Sequence, residues 1–185
     1  MSEGMRFLSG GEDVAAAVEW VKSKYNAGNG SRDVLLMGNS ACGVRVATFM
    51  LKLRFAALRV SILSGIVGGV SLRGYILLAV PFDFRNAAAD RAATLNNLGT
   101  GSEKTALDLL QSFKPQERSL PKTLVVWGTL DPKDEIVQPA LNFIEEWEGR
   151  EGPWDLNRAV LEGHNHVSPP MALATGLQWR GNGKL

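Results

Sequence analysis

The chain is poor in the residues that cross-link or ligate. It has one cysteine, Cys42, so no disulfide can form within it. A lone thiol fits a reducing compartment, where structural disulfides are rare. It has two histidines, His164 and His166, so chemistry that needs an imidazole must run through one of them. Their i, i+2 spacing comes without a helical His-Glu-x-x-His pattern or a cysteine cluster. That is not a zinc signature, and neither metal nor cofactor is expected. No apolar run approaches the roughly 18 residues of a membrane-spanning helix. Met1 to Arg6 lack the basic start and apolar core of a signal peptide. Cytoplasm is therefore the expected location. Neither sign of charge dominates, with 20 Lys and Arg against 19 Asp and Glu. In the absence of a basic run, neither nucleic acid nor a membrane surface is an expected partner.

What is present is ordinary for one globular domain: 185 residues, 45% of them hydrophobic. Gly10 to Asn26 reads as a helix, with Val14, Ala17, Val18 and Val21 at helical spacing. Asp33 to Met37 is a short apolar run between turn signals, the mark of a buried strand. Gly38 to Gly43 reads as a tight turn and Val44 to Leu58 as a helix, with Arg45, Lys52, Arg54 and Arg59 reaching solvent. Ser61 to Ser71 reads as a glycine-rich loop, and Gly74 to Val80 as a second strand stopped by Pro81. Residues 83–119 are polar and helix-prone in pieces, without a strand signal, and could cap a site. Thr123 to Trp127 is a third strand, Asp134 to Glu148 an amphipathic helix, and Trp154 to Leu161 a fourth strand. From Ala172 the pattern fades. Short apolar strands alternating with helices predict an α/β fold: a mostly parallel sheet flanked by helices. Ligands in such sheets bind beyond the carboxyl ends of the strands.

Three residues stand just after strands. Leu35-Leu36-Met37-Gly38-Asn39-Ser40-Ala41-Cys42-Gly43 reads as strand, small-residue turn and helix. Such a turn lifts a serine hydroxyl above the sheet and tolerates only small neighbours. The amide of Ala41 then falls at a helix N-terminus, free to bond a developing oxyanion. The plain alternative is a turn whose serine caps the helix. Asp131 follows the third strand, where a carboxylate can hold an imidazole in one tautomer. Its alternative is a turn or cap aspartate, the role assigned here to Asp134 and Glu135, which lie one turn later. His164 or His166 would be the base, in a loop after the fourth strand.

Together, Gly38-Asn39-Ser40-Ala41-Cys42-Gly43, Asp131-Pro132-Lys133-Asp134-Glu135 and Gly163-His164-Asn165-His166 resemble the α/β-hydrolase superfamily. The likeness is closest to its esterase–lipase branch of hormone-sensitive-lipase-like and kynurenine-formamidase-like hydrolases, and covers about residues 8–176. It implies Ser40 as nucleophile, Asp131 as acid and His166, which precedes Val167, as base. The implied reaction is hydrolysis of a carboxylic ester or small amide. Two departures from the family pattern stand out. Cys42 replaces the last glycine of Gly-x-Ser-x-Gly and is expected to be buried filler. The sequence shows no His-Gly-Gly-type loop of the kind that supplies the second oxyanion donor, and the strands ahead of it are expected to be missing. The resemblance therefore implies one incomplete catalytic domain over residues 1–185, with a cap-like insertion at about 82–119. Its apolar members would be Phe82, Phe84, Leu95, Leu98, Leu107 and Leu110, as a pocket lining or as ordinary helix packing. The last helix would be cut short over Leu177 to Leu185. The edge of the Val34–Met37 strand would be bared, inviting self-association, and turnover would be weak or absent unless a partner completes the sheet. The alternative function is a hydrolase-derived binding module.

Overall fold

A computed structural model of the chain describes residues 7–25, 32–63, 69–85, 105–113, 120–150 and 155–175. Four strands form one wholly parallel sheet in the order β1-β2-β3-β4. They are β1 (Arg32–Asn39), β2 (Val70–Leu78), β3 (Lys122–Gly128) and β4 (Leu156–Leu161). Chain order and sheet order coincide, so each strand pairs with the one made just before it. The helices are α1 (Phe7–Tyr25), α2 (Ala41–Leu51), α3 (Ala56–Leu63), α4 (Ala106–Ser112), α5 (Gln138–Glu148) and α6 (Ser168–Thr175). α1 packs on α2, α2 on α4, and α4 on α5.

The core runs between this row of helices and the sheet. Phe49, Met50, Tyr75, Leu77, Phe82, Leu110, Val125, Phe143 and Ile144 are all buried in it. Phe82 stacks on Phe143 with ring centroids 4.1 Å apart. The described part of the polar 83–119 stretch joins the same core: Leu107 and Leu110 of α4 are buried. A capping box starts α4, with the Thr105 side chain accepting from the Asp108 amide and Asp108 bonding back. Leu95 and Leu98 lie outside the described residues, as does the tail beyond residue 175.

Several boundaries differ from the sequence reading. The helix expected over Val44 to Leu58 is broken. Lys52 is extended (φ −73°, ψ 132°), a 3₁₀ turn follows at Leu53–Phe55, and the chain re-enters a helix at Ala56. Arg59 explains the break. Rather than reaching solvent it is 4% exposed, and its Nη1 donates to the carbonyls of Phe49 and Lys52 at 2.7 Å each. It thus satisfies the Phe49 carbonyl, which the end of α2 would otherwise leave orphaned, and adds a second donor to the Lys52 carbonyl, which also accepts the Phe55 N–H at 3.2 Å. The Ser61–Ser71 stretch is helical up to Leu63 and becomes strand at Val70. The helix expected to begin at Asp134 instead opens with a wide π turn over Lys133–Val137 and becomes α-helical at Gln138, with Pro139 in its first turn. Ala172, where the pattern fades, still lies inside α6.

From its residues β1 was expected to be buried; it is half-buried on one face and exposed on the other. Val34 and Leu36 join Val18, Val21, Ile62 and Leu72 around an apolar cavity of about 80 Å³ beneath α1 and α3. Leu35 and Met37, on the alternate positions, are 58% and 46% exposed. Among the described residues β1 has a strand partner on one side, β2.

Candidate active site

The three residues singled out by sequence stand at one end of this sheet, because all four strands run the same way and each residue follows a strand's carboxyl end. Ser40 joins β1 to α2. Its backbone is left-handed (φ 55°, ψ −128°), a conformation that an L-residue adopts only under constraint. Three hydrogen bonds impose it. Ser40 N–H donates to the Leu78 carbonyl at 3.0 Å, and the Ser40 carbonyl accepts from Gly43 and Val44 at 2.9 and 3.2 Å. The serine stands at the N-cap position of α2, but its hydroxyl makes no capping bond.

The sharpness of the turn demands its glycines. A Cβ on Gly38 would lie 2.5 Å from Gly43 Cα and 2.7 Å from the Cys42 carbonyl oxygen. One on Gly43 would collide with Val80 Cγ2. Cys42 does not share this constraint. It was expected to be buried filler, but its thiol is exposed. The close approach is made by Gly38 and Gly43, so a side chain at position 42 can point outward. That is how the turn forms without the usual last glycine. Ala41 opens α2, and its N–H is among the first-turn donors that no carbonyl of the helix can reach.

Asp131 is held by the turn that ends β3. Its Oδ2 accepts the Gly128 N–H at 2.7 Å, and its own N–H donates to the Gly128 carbonyl at 3.1 Å. The carboxylate is fully buried, and Oδ1 lies 3.9 Å from Nδ1 of His166. Both atoms are buried without a hydrogen-bond partner among the described residues. A gap of 3.9 Å is too long for a hydrogen bond. Even so, two unsatisfied polar atoms face each other, and catalytic pairs commonly tighten when substrate binds. Asp134 is exposed, at the start of the π turn.

The two histidines have different surroundings. His166 turns Nδ1 toward Asp131 and is 32% exposed. His164 places Nδ1 3.0 Å from the hydroxyl of Ser168, and its carbonyl accepts from Leu130 at 2.9 Å. Sequence reasoning missed the polar residues that shape this loop. The Asn165 side-chain oxygen accepts the N–H groups of Val167 and Ser168 at 3.2 and 3.0 Å, fixing the start of α6. Thr129 accepts from Gly163 at 2.9 Å. The Asn165-x-x-Ser168 spacing was a readable cap signal. The Thr129 contact bridges distant loops and left no local signal.

No protein-family model matches the sequence, and no curated protein is similar to it. Solved structures are similar to it in fold. A carboxylesterase from Lactobacillus plantarum WCFS1 superposes with a TM-score of 0.58 at 14% identity, over 85% of this chain and 54% of the other. Esterase B from Lactobacillus rhamnosis (HN001) gives 0.59 at 15% identity, over 90% and 57%. Brefeldin A esterase, a bacterial homologue of human hormone-sensitive lipase, gives 0.53 at 22% identity, over 95% and 54%. The chain thus spans about half the length of the structures it matches. Strand order, helix layer and these superpositions agree: the chain has an α/β-hydrolase fold in part, a four-stranded parallel portion of that sheet with its flanking helices.

Proposed function

We propose that the chain is a serine hydrolase acting on a carboxylic ester or small amide through an acyl-enzyme. The observation that carries this reading is the approach of His166 Nδ1 to the buried Asp131 carboxylate, 3.9 Å, at the sheet end where the turn leaves the Ser40 hydroxyl uncommitted. In this reading Ser40 Oγ attacks the carbonyl carbon while Nε2 of His166 takes its proton. Asp131 keeps the remaining imidazole proton on Nδ1 and stabilises the imidazolium. The oxyanion bonds the Ala41 N–H at the start of α2. His166 then protonates the departing alkoxide or amine, and water repeats the sequence to release the acid. The structural neighbours named as esterases support an ester over other acyl substrates. The lone thiol fits a cytoplasmic setting, and the exposed apolar edge of β1 fits self-association.

Ala41 is the one oxyanion donor this reading names, and a site short of one donor typically turns over about 100- to 1000-fold more slowly. The test is therefore stoichiometric. Purified chain is incubated with a fluorophosphonate and weighed intact beside Ser40→Ala. One adduct that vanishes in Ser40→Ala is the expected result. Folded protein that takes no adduct would overturn the reading and favour a binding module built on the same fold.

A further inference from the structure

The loops that carry Asp131 and His166 meet at more points than that pair. Leu130 N–H donates to the His164 carbonyl at 2.9 Å, and Thr129 N–H to the Leu161 carbonyl at 3.1 Å. Gly163 N–H returns a bond to the Thr129 hydroxyl at 2.9 Å. Gly128 lies directly under the same loop. A Cβ there would stand 2.6 Å from the His164 carbonyl carbon and closer still to its oxygen. Both are backbone atoms, so no rotamer change relieves the clash. The Gly128 N–H also holds Asp131 Oδ2 at 2.7 Å. One residue thus touches the acid on one side and the chain two residues before His166 on the other. Beyond that point the histidine loop is braced internally by the His164–Ser168 and Asn165–Ser168 contacts. A loop stiff in itself and held by three successive residues of the acid loop, Gly128, Thr129 and Leu130, is carried by it as one piece.

We infer that Gly128 and Thr129 are positioning residues that set the separation of Asp131 and His166. The inference rests on the proposed roles of that pair. Gly128 acts by having no side chain, which lets the histidine loop lie flush on the end of β3. Thr129 acts through its hydroxyl, which fixes the turn at Gly163. Misplacing a catalytic group by about 1 Å can cost about 100-fold in rate, and a methyl at Gly128 would force a shift of that order.

The test pairs probe kinetics with histidine NMR, in which the two histidines give separable ring signals assigned with His164→Gln. Gly128→Ala is expected to slow fluorophosphonate labelling about 100-fold. Ile62→Ala, in the core on α3, serves as a control of comparable melting temperature and should label within about threefold of the parent. In the parent, Asp131→Asn should move the His166 ring signal; in a Gly128→Ala background it should not. Thr129→Val should slow labelling about three- to tenfold, the loss of one neutral hydrogen bond, with Thr129→Ser restoring it. This second pair decides the matter if Gly128→Ala does not fold. Parent-like labelling in Gly128→Ala, or equal rates in Thr129→Val and Thr129→Ser, would overturn the inference. If the parent itself takes no label, the serine hydrolase reading fails. The NMR arm then judges positioning alone: persistence of the Asp131→Asn effect in Gly128→Ala refutes it, and loss supports it.

Discussion

Tyr75 is among the largest side chains sealed in the core, and its hydroxyl is buried without a partner among the described residues. Burial pushes its ionisation well above the ordinary tyrosine value, while the nearby charge of Arg59 opposes that push. The sign of the consequence follows from proton counting. Above about pH 10 the unfolded chain releases the phenol proton and the folded chain keeps it. Stability from this group is therefore intact below pH 10 and lost above it, by about 1.4 kcal/mol per pH unit. Thermal melts from pH 8 to 11.5 should show the parent falling faster than Tyr75→Phe above pH 10, with the two alike below; parallel curves throughout would contradict this. At this scale the sequence was readable where a residue's neighbours in the chain determine its state. The places of Ser40 and Asp131 were readable because each follows a strand and precedes a helical segment. Arg59 and Cys42 were misread because contacts from elsewhere decide their burial: the carbonyls at the end of α2 pull Arg59 inward, and the Gly38–Gly43 approach leaves Cys42 outside. Gly128 passed unnoticed for the same reason, since the loop it seats is far along the chain.

At the scale of elements, α2 and α3 read as one helix because no residue between Val44 and Leu58 is a glycine or proline. Propensity alone would continue through Lys52. The turn survives because Arg59 reaches back to two carbonyls. Arg59→Leu removes the donor and leaves the buried Phe49 carbonyl without one, at an expected cost of about 1–3 kcal/mol in urea unfolding. Arg59→Lys should recover only part of this, because an ammonium cannot reproduce a planar guanidinium spanning two acceptors. A parent-like midpoint for Arg59→Leu would mean the break is intrinsic to the sequence. The strands were more legible than the helices: all four were expected, and their ends moved by a few residues. An apolar run between turn signals survives tertiary packing, whereas a helix boundary is set by caps that distant side chains supply. The π turn at Lys133–Val137 left no trace in the apolar periodicity that pointed to a helix there.

For the whole molecule, β1 is a weakly protected edge. It has one strand neighbour among the described residues and presents Leu35 and Met37 on its outer face. Strand edges with exposed apolar side chains template pairing with other chains. Light scattering behind size exclusion should show concentration-dependent association that Leu35→Lys with Met37→Lys reduces, without lowering the melting temperature. A parent that stays monomeric at high concentration would show that this surface is covered or inert. The architecture as α/β with a parallel sheet was legible from alternation alone. The exposure of one face of β1 was not legible from its residues, because an apolar run reads as buried whether or not its neighbours are present.

The coincidence of chain order with sheet order has a consequence for the chain as it leaves the ribosome. Each strand emerging at ~5–20 residues per second finds its partner already made, so the sheet can grow by accretion from β1 outward. The hydroxyl of Ser40 is mounted with the first strand, the carboxylate of Asp131 with the third and the imidazole of His166 only after the fourth. For several seconds of synthesis a nascent chain would hold the proposed nucleophile without its proposed base, and on that reading it would be chemically silent until β4 docks. Release fragments ending before β4 would inherit that silence, and a pulse of fluorophosphonate on stalled chains of increasing length would find reactivity switching on in one step.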